Sequence, residues 1–135
     1  MGQYGINAIE ATKLLNSGYK SAEQAWRKSA EILISKESSR EKPCPRSAFL
    51  GLCAAGLVVG VSPNTVKLMD SKNGNYAVKA VELLVANHNL ARQGKTKLWK
   101  QVMSELKENP NKKQNGQMDV VMTLWEKNLI IVEST

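Results

Sequence analysis

Apolar positions along the chain recur with helical spacing, and they do so twice. Ala8, Ala11 and Leu15 fall on one face of a helix predicted from Tyr4 to Asn16. Ala77, Ala80 and Leu84 do the same for a helix predicted from Asn75 to Ala86. The match is positional: Gly5, Ala8, Ile9, Ala11, Leu14 and Leu15 return 69 positions later as Gly74, Ala77, Val78, Ala80, Leu83 and Leu84. A second helix begins at Ser21, with Gln24 at capping-box spacing, and carries the stripe Ala22, Ala25, Trp26, Ser29, Ala30, Leu33. Its counterpart starts near Thr96 with the stripe Trp99, Val102, Met103, Leu106.

The third helix of each half is the best marked. Pro45 suits a first turn, where its missing N–H costs nothing, and Asn115 suits an N-cap. Gly56 and Asn128 are the residue types that tolerate a left-handed conformation just past a helix end. With those as C′, Leu52 and Leu57 form the hydrophobic pair of a Schellman cap, and so do Leu124 and Leu129. Both helices exit into β-branched runs, Val58-Val59-Gly60-Val61 and Ile130-Ile131-Val132, which read as short strands pairing with each other.

The pattern predicts an all-α fold. Two similar three-helix repeats pack as one pseudo-symmetric domain, each ending in a short extended segment. Repeat one spans 1–61, a turn-rich connector 62–73, and repeat two 74–135, within a single domain of 1–135. A half of about 60 residues is marginal alone, so the two are expected to share a core.

Composition adds little to the architecture and more to the choice of partner. The 135 residues are 42% hydrophobic and 23% charged, ordinary for a globular protein, with a net charge of +7. The excess is spread: +3 over residues 1–62, +1 over 63–72 and +3 over 73–135. A basic surface attracts nucleic acid or anionic membrane and also aids solubility. Two cysteines do not make a disulfide scaffold, and they point to a reducing, cytoplasmic setting. The opening residues have neither the basic-then-apolar pattern of a signal peptide nor, with Ile6, the Ser or Thr of a myristoylation site. The uncharged run Ala48–Val61 is too short and too glycine-broken for a membrane span.

No catalytic or metal constellation stands out. His88 is the one histidine and lies in a polar loop, Asn87-His88-Asn89. Cys44 sits between Lys42 and Arg46, cations that would favour a thiolate, but it reads as an incidental loop thiol; Cys53 reads as core. The cysteine and histidine spacing fits no zinc set, and no phosphate-cradling glycine loop is present. The expectation is a protein that is not an enzyme and needs no metal or cofactor.

The loops before the third helices are matched in charge. One, from Lys36 to Arg46, carries Arg40, Lys42 and Arg46; the other, from Asn109 to Gln117, carries Lys112 and Lys113. Each delivers cations to a helix N-terminus, where free N–H groups favour an anion. On the second helix of repeat two, Lys97, Lys100, Ser104 and Lys107 form a further stripe about 120° from the Trp99 face. A helix-turn-helix is excluded, because the gap from Ser35 to Cys44 is too long and the third helices are too apolar to be recognition helices.

At Pro45-Arg46-Ser47-Ala48-Phe49-Leu50-Gly51-Leu52-Cys53 and Asn115-Gly116-Gln117-Met118-Asp119-Val120-Val121, the chain resembles a family of small uncharacterised bacterial proteins with two similar helical halves. Gly74 to Leu84 and Leu98-Trp99-Lys100 belong to the same resemblance. It implies a bacterial origin and this architecture, and no activity, cofactor or site.

The leading functional expectation is a non-catalytic binding module for the phosphate backbone of nucleic acid. Its contacts are Arg40, Lys42, Arg46, Lys97, Lys100, Lys112 and Lys113. The alternative is a protein-interaction module using exposed Tyr4, Tyr19 or Tyr76; a third is a small enzyme with a pocket between the repeats. Sequence leaves the oligomeric state open.

Overall fold

A computed structural model describes residues 2–67 and 71–132. Helix α1 spans Gln3–Asn16, α2 Ala22–Leu33, α3 Glu37–Arg40, α4 Pro43–Ala54, α5 Lys72–Ala86, α6 Lys95–Glu105 and α7 Gln117–Glu126. Short 3-10 turns occupy Pro63–Thr65 and His88–Gln93. Of the expected connector, residues 68–70 lie outside the described residues.

Helix starts follow their caps. Ser21 Oγ accepts the Gln24 N–H at 3.2 Å, as its spacing predicts. Ser71 Oγ accepts the Gly74 N–H at 3.0 Å, so α5 opens at Lys72 rather than Asn75. The cap of α7 is Gly116, at φ 89°, and not Asn115. Gln114 Oε1 does the capping there, accepting from the N–H groups of Gly116 at 3.1 Å and Met118 at 3.4 Å. Helix α4 begins two residues earlier than expected, placing both Pro43 and Pro45 in its first turn.

Helix stops share one device. The Leu57 N–H donates to the Leu52 carbonyl and the Gly56 N–H to that of Cys53, both at 3.0 Å. The Leu129 N–H donates to Leu124 at 2.9 Å and the Asn128 N–H to Trp125 at 3.2 Å. With Gly56 at φ 73° and Asn128 at φ 60°, both are Schellman caps. The same pattern closes α1 at Gly18 (Tyr19 N–H to Leu14) and α6 at Lys107, φ 56° (Glu108 N–H to Met103). Lys107 therefore leaves the helix, and the expected basic stripe on α6 ends before it.

The β-branched tails do not form strands. Val58 and Ile130 make an isolated antiparallel bridge, with the Val59 N–H on Leu129 O and the Ile131 N–H on Leu57 O, each at 2.8 Å. Gly60, at φ 74°, turns the first tail away after one pairing residue, and the Val61 N–H folds back onto Val58 O.

Helix α1 packs on α2 and α7, and α4 packs on α5 and α7. Helix α1 thus lies against α7, and α5 against α4. Glycine sets both crossings. A Cβ at Gly5 would lie against Thr123 Oγ1 and 2.9 Å from the Asp119 carbonyl oxygen. A Cβ at Gly74 would lie 3.1 Å from Gly51 Cα and 3.4 Å from the Ser47 carbonyl oxygen. One apolar cluster includes residues of α1, α2, α4, α5, α6 and α7. Within it Trp26 meets Phe49 at 5.4 Å between ring centroids, and Tyr76 meets Trp99 edge-on at 5.3 Å. Asn7 is buried with them and ties α1 to α2 by donating to Trp26 O at 3.2 Å. The apolar stripe of α2 is corrected at its end: Leu33 is exposed, and Ile34, in extended conformation past the helix, turns inward.

Candidate nucleic-acid interface

The two matched loops meet. Lys42 Nζ donates to Asn115 Oδ1 at 3.3 Å, joining segments 73 residues apart. Gly116 lies where a Cβ would come within 2.9 Å of the Tyr4 ring and 3.1 Å of Pro45 Cβ. Tyr4 in turn donates its hydroxyl to the Ser39 carbonyl at 3.2 Å, holding α3 beside α1. Residues 36–46 and 109–117 therefore form one rim, fastened from beneath by Tyr4 and Pro45.

Helix α6 joins the same rim through Lys112. Trp99 Nε1 donates to the Lys112 carbonyl at 2.7 Å. The Lys112 ammonium donates to the Tyr76 hydroxyl at 3.0 Å and lies 5.1 Å from that ring's centroid. That hydrogen bond holds the Lys112 ammonium above the ordinary lysine range, so it stays charged well past neutrality. The sequence pattern places Tyr76 at the surface and Trp99 in the core; both are buried and both seat Lys112.

The seven expected cations divide by environment. Arg46 is 3.9 Å from Glu41, which also takes Arg27 at 3.3 Å. Arg40, Lys42, Lys97, Lys100, Lys112 and Lys113 have no carboxylate within 4.0 Å among the described residues. Arg40 is half-buried, and its Nε has no hydrogen-bond partner. Lys97 and Lys100 are exposed on α6. They flank Trp99 in sequence, but no hydrogen bond or ion pair links them to the loops.

Helix N-termini contribute less than the sequence implied. Pro43 and Pro45 remove two of the four N–H groups that α4 would offer an anion. On α7, Gln114 takes the donors of Gly116 and Met118. Asp119, in its first turn, pairs with Lys95 at 2.6 Å. Positive potential on this rim therefore comes from side chains.

Other candidate features lie elsewhere. A groove of about 450 Å³ runs between α4 and α5, lined by Gly51, Ala54, Ser71, Gly74, Lys79 and Glu82 among others, and neither Cys44 nor His88 lines it. His88 sits edge-on to Trp125 at 5.3 Å. Cys53 is buried, and burial pushes its thiol up to about 12. No group of three or more metal-ligating side chains converges among the described residues. No helix among them is long and apolar enough to cross a membrane.

Fold and surface together describe an all-helical chain whose two basic loops join at Lys42 and Asn115, with Glu37 and Glu41 standing among the cations. The chain belongs to DUF6979, a family of unknown function, whose model matches residues 1–131. No curated protein and no solved structure matches it.

Proposed function

We propose that the protein is a non-catalytic module that binds the phosphate backbone of nucleic acid. One observation carries this reading: the hydrogen bonds Lys42–Asn115, Trp99–Lys112 and Lys112–Tyr76 gather two basic loops and α6 into one rim. Arg40, Lys42, Lys112 and Lys113 on its loops, and Lys97 and Lys100 on the exposed side of α6, lack a carboxylate within 4.0 Å among the described residues. Such charges bind phosphates by releasing counterions, and they fix position without reading sequence.

The rim belongs, in this reading, to a single domain of two halves related by a pseudo-two-fold axis, each with three main helices; the four-residue α3, in what was expected to be loop, is extra in the first. Support comes from the glycine crossings of α1 on α7 and α5 on α4, the paired Schellman caps, and the bridge between the two tails. The axis would carry the loop before α4 onto the loop before α7, so both would grip one ligand.

Fluorescence anisotropy of the full chain with labelled mixed-sequence DNA and RNA tests the reading. Binding is expected at low salt, with log affinity falling against log salt by about 0.9 per phosphate engaged, or about 5 with all six cations in contact. Replacing Lys97, Lys100 and Lys113 together by Gln should reduce that slope by about 3. Absence of binding at low salt ends the proposal.

A protein-interaction role has one observation in its favour: Ile32 is 73% exposed and Leu33 42%, side by side at the end of α2. Of the tyrosines expected to serve that role, Tyr4 and Tyr76 are buried in the core and only Tyr19 reaches solvent.

A further inference from the structure

The aromatic side chains narrow the ligand class. Single-stranded nucleic acid is held by a basic groove plus exposed rings on which bases stack. In this protein the rings nearest the rim face inward. Tyr4 is anchored on Ser39, Trp26 pairs with Phe49, and Tyr76 pairs with Trp99 beneath Lys112; all five are buried. The rings that reach solvent are Tyr19, after α1, and the His88–Trp125 pair. None of the three lies on residues 36–46, on 109–117 or on α6. What the rim offers is charge on a scaffold fastened by hydrogen bonds. Cations without stacking rings favour the ligand with the denser phosphate charge, and a duplex carries about twice the charge per length of axis of one of its strands. Base edges are poorly served as well. Helices α4 and α7 bury most of their side chains, leaving neither free to enter a major groove.

Resting on the phosphate-binding reading, we propose that the rim selects double-stranded over single-stranded nucleic acid and does so without regard to sequence. Lacking even one stacked base, a single strand forfeits about five- to a hundredfold in affinity relative to a protein with a stacking platform. It gains nothing on this rim to replace that loss.

The test is anisotropy of the full chain at one fixed low salt concentration. The probes are a labelled 24-base-pair DNA duplex, its labelled strand alone, two duplexes of unrelated sequence, and an RNA duplex with its own strand. The expected result is at least fivefold tighter binding of a duplex than of its strand, with the DNA duplexes agreeing within about twofold. Either duplex type beating its own strand supports the inference, and comparison of the two separates DNA from RNA as the source. A strand that binds as tightly as its duplex overturns the inference while phosphate binding stands. A tenfold spread among DNA sequences overturns sequence independence. No binding by any probe removes the underlying reading and the inference with it.

Discussion

Replacing Gly51 by Ala puts the α4–α5 contact under direct test. A Cβ on Gly51 would lie close to Gly74 Cα and 3.0 Å from the Gly74 carbonyl carbon and oxygen. The approach to Gly74 Cα is well inside ordinary van der Waals contact, so the two helices must part to admit the methyl group. Backbone stands on the far side, and no rotamer change relieves the clash. Overpacking costs about 1–3 kcal/mol, and a backbone partner argues for the upper end. Alanine returns about 1 kcal/mol through helix propensity. The net expectation is a loss of about 2 kcal/mol. At about 2.1 cal/mol/K of unfolding entropy per residue, this chain should melt about 7 °C lower. Thermal unfolding followed by circular dichroism and calorimetry measures it. Two companions grade the result. Gly74→Ala meets its nearest atoms at 3.0 and 3.1 Å and should change stability by less than about 1 kcal/mol. Asn75→Ala, exposed on the same helix, should stay within about 0.5 kcal/mol. A Gly51→Ala protein melting at or above the parent temperature would show that the two backbones do not touch there.

Three further outcomes follow from local geometry. Lys107→Gly should raise stability by about 0.5–1 kcal/mol, because φ 56° suits glycine better than lysine; a loss in urea unfolding would contradict the left-handed cap of α6. Trp99→Phe deletes the indole donor to Lys112 O and should cost about 1–2 kcal/mol, whereas an unchanged denaturation midpoint would deny that bond a structural role. Cys44, half-buried, should react with an aromatic disulfide in the folded protein, and Cys53 only on unfolding; equal native rates would refute the burial of Cys53. The sign for pH is set by the raised Cys53 value. Folding favours its neutral thiol, so that contribution is whole below about pH 9, where an unfolded cysteine titrates, and is lost as pH rises toward about 12.

Much of the candidate interface was invisible along the chain. The charges of Arg40, Lys42, Lys112 and Lys113 were legible, since loops advertise them. Their supports were not. Asn115 looked like a helix cap and proved to be the acceptor for Lys42. Tyr76, 36 residues from Lys112, carried no local sign of seating it. Tyr4 and Tyr76 were expected at the surface because a tyrosine on a helix can point either way, and only a neighbouring helix decides. The cap at Lys107 was missed for a related reason. Lysine rarely takes a left-handed conformation, and polar Glu108 at C″ gives no hydrophobic clasp to recognise.

Local chemistry along the chain determined where several helices begin and end: α2 and α5 start at serine caps, and α1, α4 and α7 stop at Gly or Asn. A serine oxygen reaches an N–H three residues on, and a Gly or Asn reverses the backbone, whatever surrounds them. It also determined which faces are apolar, because periodicity needs only the helix's own pitch. Tertiary structure decided what those faces touch: that α1 crosses α7 and α5 crosses α4 at glycines, that Ile34 rather than Leu33 closes the core, and that two distant loops share a rim. Those outcomes depend on contacts between residues tens of positions apart. Such contacts are governed by how whole helices fit, and no window of neighbouring residues contains that information.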